Sequence, residues 1–160
     1  MTLEQQVVKA LFDQGKTLST AESCTGGMLA QRITDVSGAS NVFECGIVSY
    51  SDRIKREVLG VQANTLRTYR AVSAETAKEM AEGARRVSGA DMAVSVTGIA
   101  GPTSDDSGKP VGLIYIGFAD ETHTEVVKLQ NNFSTDVRRQ NRETATNAAL
   151  ELVLRNLNHD

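Results

Sequence analysis

The chain has 160 residues, of which 40% are apolar and 23% charged, with a formal net charge of −3. That length suits one domain, residues 1–160, able to bury roughly two thirds of the surface its unfolded form exposes. The mildly acidic balance excludes the basic footprint of a nucleic-acid groove, and no apolar run approaches the ~20 residues of a membrane span. With no export signal the expected compartment is the cytoplasm, where Cys24 and Cys45 are expected as free thiols.

In chain order, Leu3, Val7, Ala10 and Leu11 recur at helical spacing before Gly15, so residues 2–14 read as an amphipathic helix. A short strand follows over Thr17 to Ala21, and TGGMLAQRITD opens a helix at its glycines. VFECGIVSY reads as a mostly buried strand ending in Tyr50. SDRIKREVLGV reads as a short helix, capped by Ser51 or Asp52 and stopped by Gly60. Ser73 and Glu75 begin a stronger helix that carries Ala77, Met80, Ala81, Ala84 and Val87 on one face. Asp91 to Thr97 reads as a buried strand, and it runs into the long loop GIAGPTSDDSGKPVG. VGLIYIGFA and HTEVVKL are β-type runs separated by Asp120-Glu121-Thr122, the pattern of a hairpin. From Ser134 the chain reads as helix almost to its end, with Ala145, Ala148, Ala149, Leu152, Val153 and Leu157 as the buried stripe. This succession calls for helices on both faces of a mixed sheet.

Chemistry concentrates in four places. A strand ending at Ser23 before a helix near Gly26 sets a hydroxyl at a helix N-terminus, where free N–H groups suit a phosphate or the oxyanion of an attacked carbonyl. Ser23 or Thr25 serves equally well there as an ordinary N-cap. A histidine base is poorly supplied, because His123 sits at a hairpin turn and His159 is one residue from the C-terminus. Zinc-ligand spacing is absent as well. The other activator of serine is a lysine held neutral by burial or by a second cation. In Tyr50-Ser51-Asp52-Arg53-Ile54-Lys55 both Tyr50 and Lys55 can project to the sheet edge that carries Ser23, whereas a solvated Lys55 paired with Asp52 or Glu57 is the ordinary alternative. Thr97-Gly98-Ile99-Ala100-Gly101-Pro102 leaves a strand into a loop of about fifteen residues, a length that is usually functional or mobile. Arg138 and Arg142 stand one helical turn apart, spaced to clamp a phosphate or to decorate a solvated face.

Taken together in order, Glu22-Ser-Cys-Thr-Gly-Gly27, Gly38-Ala-Ser40, Tyr50-Ser-Asp-Arg-Ile-Lys55, Leu59-Gly-Val61, Ala71-Val-Ser73, Thr97-Gly-Ile-Ala-Gly-Pro102 and Lys109-Pro-Val-Gly112 resemble the CinA carboxy-terminal domain family over nearly the whole chain. Stand-alone members of that family are nicotinamide-nucleotide amidases, and the chain looks like that stand-alone form. The resemblance implies a three-layer α/β/α domain with a mixed sheet of about five strands. It implies hydrolysis of nicotinamide mononucleotide to nicotinic acid mononucleotide and ammonia, with Ser23, Tyr50 and Lys55 as catalytic residues. By motif position it assigns Ser40 and Thr97, with Gly98, to the substrate, and an arginine of the last helix, Arg138 or Arg142, to the phosphate. Amides near Thr25 and Gly26 are the expected oxyanion donors, and Gly27 is expected with them at the substrate. No metal or cofactor is implied, no nucleic-acid or membrane partner is expected, and a homo-oligomer is implied.

Four places depart from the family pattern. Cys45 and Arg70 fall where relatives usually carry glycine, Thr103 to Asp106 replaces a glycine-rich stretch, and Val137 precedes Arg138 where aspartate is common. Asp105 and Asp106 would repel a phosphate unless they point away. Two competing readings remain from the sequence: a non-catalytic nucleotide-binding module acting through a protein partner, and a variant that uses Cys24 as its nucleophile.

Overall fold

The computed structural model describes residues 1–159. It begins with α1 (Leu3–Gln14), where the Thr2 hydroxyl and the Gln5 side chain form a reciprocal capping box and Gly15 closes the helix at φ 64°. There follow β1 (Leu18–Glu22), α2 (Met28–Thr34), a 3₁₀ turn (Ala39–Asn41), β2 (Phe43–Val48), α3 (Asp52–Glu57), α4 (Ala63–Tyr69) and α5 (Ala74–Ser88). The chain ends in β3 (Met92–Gly98), β4 (Leu113–Ala119), β5 (Thr124–Gln130) and α6 (Val137–Leu157).

The sheet order is β2-β1-β3-β4-β5. β1 runs parallel to both β2 and β3, while β3–β4 and β4–β5 are antiparallel. The sheet is therefore mixed and five-stranded, with helices on both faces, as expected. One face carries Leu18, Val94, Val96, Ile114, Ile116 and Phe118 against α1, α2 and α6, in a core that includes Val7, Leu11, Leu29, Ile33, Ala145, Ala149 and Val153. The other face carries Ala21 and Ala93 against Leu59, Met80 and Ala84. Small residues let α5 lie close there: a Cβ on Gly117 would collide with the Ala77 carbonyl.

Several expectations shift. β2 is an edge strand, so its residues alternate between half-buried and exposed rather than being mostly buried. Tyr50 lies two residues beyond its end. The last helix starts at Val137, three residues later than Ser134, after Asp136 adopts φ 43°. Val87, expected on the buried face of α5, is 52% exposed because it lies in the last turn before the Gly89 stop. α4 has no counterpart in the sequence reading. Its C-terminal Arg70 takes φ 69° and ψ 177°, a conformation that glycine adopts freely and arginine does not.

No helix among the described residues is long and apolar enough to cross a membrane.

Candidate active site

The C-terminal ends of β1, β2 and β3 lie side by side, and the segments that leave them form one corner of the molecule. In open α/β sheets ligands collect outside such strand ends. Here a cavity of about 260 Å³ is walled by Ser23, Cys24, Tyr50, Lys55, Thr97 and Arg138, together with parts of the loop after β3.

Ser23 directly follows β1, and its amide donates to the Val96 carbonyl of β3 at 3.0 Å, which extends the parallel ladder to the nucleophile candidate itself. The chain then turns sharply. Gly26 and Gly27 take φ 59° and 107°, and the Gly26 amide returns to the Ser23 carbonyl at 3.0 Å. The glycine pair is thus a requirement of the backbone path.

The N-terminus of α2 is already occupied by an anion. The fully buried Glu22 carboxylate accepts from the amides of Gly27 at 3.2 Å, Leu29 at 2.9 Å and Ala30 at 3.0 Å. A carboxylate on the first-turn amides is the favourable charge arrangement for a helix start, so neither Ser23 nor Thr25 acts as the cap. The same bonds occupy the Gly27 amide that was expected at the substrate, and the turn bond removes Gly26 from the expected oxyanion donors. Among the described residues the amides of Cys24 and Thr25 have no protein acceptor.

Lys55 reaches this corner from α3, which the Ser51 hydroxyl caps by accepting from the Ile54 amide at 3.2 Å. Only 1% of the lysine is exposed. Its Nζ sits 2.9 Å from Ser23 Oγ, 2.8 Å from the Ser49 carbonyl and 3.4 Å from the Tyr50 carbonyl. Burial pushes its pKa below the ordinary lysine value, against smaller opposing influences from Asp52 and Cys24. A neutral amine has two N–H donors and one lone pair. The two carbonyls can take both donors, which leaves the lone pair for the Ser23 hydroxyl proton.

Cys24 differs in every respect that matters for reactivity. Its thiol packs in the main core, and burial raises its pKa to about 11 despite the opposing charge of Arg142. At neutral pH only about one thiol in ten thousand would be ionised. The cysteine variant is therefore disfavoured beside a serine that already faces a buried amine.

The arginines separate. Arg138 lines the cavity, where Nη1 donates to the Gly101 carbonyl at 2.8 Å and Nη2 to the Tyr50 hydroxyl at 3.0 Å. Arg142 turns to the loop after Ser23 and donates to the carbonyls of Cys24 and Thr25 at 3.0 and 3.1 Å. The sequence spacing had left the two equivalent. They differ because one helical turn along α6 moves the guanidinium from the cavity wall to the turn behind it.

Thr97 is buried, lines the cavity and donates to the Ala71 carbonyl at 2.8 Å, with Gly98 beside it on the wall. Thr25 is fully buried, and its hydroxyl finds no hydrogen-bond partner among the described residues. Ser40 is exposed on the 3₁₀ turn and borders a separate hollow with Thr34, Val36 and Phe43. The structure therefore brings together Ser23, Tyr50, Lys55, Thr97, Gly98 and Arg138. It sets Thr25, Gly26, Gly27 and Arg142 in the supporting turn and leaves Ser40 outside.

Of the acidic loop, Asp105 lines the cavity and Asp106 does not. Asp105 accepts from both the amide and the hydroxyl of Ser107, which fixes the local turn. Asp52 also borders the cavity, so carboxylates and Arg138 share one wall system.

The profile of the CinA C-terminal domain matches residues 1–157. A competence-damage inducible protein of Thermoanaerobacter sp. strain X514 is 56% identical over 127 residues, a match covering 79% of this chain and 31% of that protein. The chain thus spans about a third of the length of such curated relatives. Among solved structures, the competence damage-inducible protein A of Klebsiella pneumoniae superposes with a TM-score of 0.93 at 34% identity, covering 98% of this chain and 96% of the other. A competence/damage inducible protein of Agrobacterium tumefaciens gives a TM-score of 0.91 at 38% identity, covering 98% and 94% respectively.

Proposed function

Because this chain belongs to the CinA C-terminal domain family, we propose that it is an amidohydrolase that converts nicotinamide mononucleotide and water to nicotinic acid mononucleotide and ammonia. The observation that carries the reading is the buried Lys55 Nζ 2.9 Å from Ser23 Oγ, inside a cavity that also holds an arginine.

In the proposed reaction Ser23 Oγ attacks the carboxamide carbon and its proton passes to Lys55 Nζ. The nascent ammonium keeps the Ser49 and Tyr50 carbonyls as acceptors, so the charge formed in the interior is hydrogen-bonded as it appears. Collapse of the tetrahedral species expels ammonia, with the proton supplied from Lys55 directly or relayed through the Tyr50 hydroxyl, which restores the neutral amine and leaves an ester on Ser23. Water, deprotonated by Lys55, hydrolyses that ester to the acid. Tyr50 suits the donor role because Arg138 already donates to its oxygen, leaving the phenolic proton free for the substrate.

The cavity also suits the charges of the mononucleotide. Arg138 offers a guanidinium held in place by two bonds, a geometry that favours phosphate. Asp52 and Asp105 supply negative charge on the same cavity for the cationic pyridinium ring. The lysine–serine pair favours catalysis over a nucleotide-binding module without activity, since a buried amine aimed at a hydroxyl serves no binding purpose.

The test is incubation of the purified protein with nicotinamide mononucleotide while ammonia and nicotinic acid mononucleotide are followed together. Equimolar formation of both supports the reading. Saturable binding of the nucleotide with no ammonia release would replace it with the binding module.

A further inference from the structure

Among the described residues the Arg142 guanidinium bonds to two backbone carbonyls of the nucleophile turn, and the order of those bonds matters. Its Nη2 donates to the Thr25 carbonyl at 3.1 Å. The N–H of that same peptide group belongs to Gly26 and donates to the Ser23 carbonyl at 3.0 Å. The N–H of the Ser23 peptide group belongs to Cys24, the residue after the nucleophile. Arg142 Nε meanwhile donates to the Cys24 carbonyl at 3.0 Å, whose peptide N–H belongs to Thr25. Both relays therefore end on amides that have no protein acceptor among the described residues.

A peptide group whose carbonyl accepts from a cation becomes a stronger N–H donor, and chains of hydrogen bonds pass the polarisation on. Cys24 borders the cavity, whereas Thr25 is fully buried and does not. The amide of the residue after a nucleophile is also a recurrent oxyanion donor.

We propose that Arg142 is a positioning residue that polarises the nucleophile turn: seated on the Cys24 and Thr25 carbonyls, it strengthens the Cys24 amide as donor to the oxygen that becomes negative when Ser23 attacks a carbonyl. This rests on the reading of Ser23 as an acyl-transfer nucleophile, and it assigns Arg142 to the transition state rather than to the phosphate.

The test compares wild type, Arg142→Gln and Arg142→Lys in two assays. One is steady-state hydrolysis of nicotinamide mononucleotide. The other is labelling of Ser23 by a fluorophosphonate ester, read by mass spectrometry, which needs neither an amide nor a nucleotide. In the labelling step an Oγ–P bond forms, the P–F bond breaks, fluoride leaves and the serine proton passes to Lys55, while the phosphoryl oxygen takes the oxyanion position. Arg142→Gln is expected to lose roughly tenfold to a hundredfold in kcat and in labelling rate alike, with KM within about twofold, and Arg142→Lys to regain part of both.

A raised KM with kcat and labelling unchanged would make Arg142 a phosphate ligand and overturn the proposal. If Arg142→Gln does not fold, a several-fold loss of labelling in folded Arg142→Lys supports the proposal, and wild-type labelling in that variant overturns it. Wild type that labels with this dependence but leaves the mononucleotide intact supports the inference while sinking the substrate assignment. Wild type that never labels on Ser23 sinks the inference.

Discussion

Lys55 Nζ lies 2.9 Å from Ser23 Oγ although the two residues are separated by 32 positions in the chain. The pair exists because β1 and β2 run parallel, so the segments leaving both strands emerge at one edge of the sheet. Ser49, just past β2, reinforces the join by donating its amide to the Glu22 carbonyl at 2.8 Å.

Activity should follow the ionisation of Lys55. The base must be neutral, and burial lowers its pKa from the ordinary 10.5. We expect kcat/KM to rise with pH through an inflection below 10.5. Asp52→Asn removes an influence that raises the Lys55 pKa, so the acidic limb should move to lower pH. Lys55→Met should lose about 10²- to 10⁴-fold in kcat. A pH-rate profile of the three proteins checks all of this.

The same lowered pKa has a consequence for stability. Between the folded-state value and 10.5 the unfolded chain binds more protons at this lysine than the folded one does, so stability rises with pH across that window. Below the folded-state value the whole penalty is present. The stability of wild type relative to Lys55→Met should therefore improve as pH increases from neutral toward 10.5, as measured by urea unfolding at several pH values.

Arg138 and the mononucleotide phosphate should interact through charge-assisted bonds worth about 1.5–3 kcal/mol. Arg138→Gln is thus expected to raise KM for the mononucleotide by roughly tenfold to a hundredfold. It should have little effect on nicotinamide riboside, which lacks the phosphate. Steady-state kinetics with both compounds checks the assignment.

Glu22 illustrates what the sequence concealed. The motif around Ser23 advertised hydroxyls and glycines as the cap, while the carboxylate that performs the capping is a strand residue five positions before its first amide partner. Glu22→Ala would leave three buried or half-buried amides without their acceptor. The expected cost is at least about 2 kcal/mol of stability, visible as a lower urea midpoint.

Legibility followed the range of the interactions. The Gly15 stop, the Ser51 cap and the hairpin between β4 and β5 were readable because they depend on neighbours within a few residues. Ser23 and Tyr50 could be proposed because each follows a strand, and Lys55 because it lies one helical turn further on, whereas Thr97 was assigned by motif resemblance. The division of labour between Arg138 and Arg142 was not readable, since both lie on one helix and only the packing of α6 against the nucleophile turn separates them. β2 was read as mostly buried because apolar content alone does not tell an edge strand from a central one. Arg70 is a different case: its departure from glycine could be seen in the sequence, but its φ of 69° could not.

That strain yields a further expectation. Arg70→Gly should relieve about 1–3 kcal/mol, the ordinary range for a residue in a sparsely populated backbone region, less the entropy glycine adds to the unfolded chain. Thermal unfolding of the variant should show a higher midpoint than wild type.

The central claim is that Ser23, rather than its neighbour Cys24, attacks the amide of a pyridine mononucleotide. Turnover of nicotinamide mononucleotide by wild type, Ser23→Ala and Cys24→Ala, measured side by side on proteins verified as folded, tests it most directly. The account predicts ammonia and nicotinic acid mononucleotide from wild type and Cys24→Ala and none from Ser23→Ala; turnover by Ser23→Ala at the wild-type rate would contradict it.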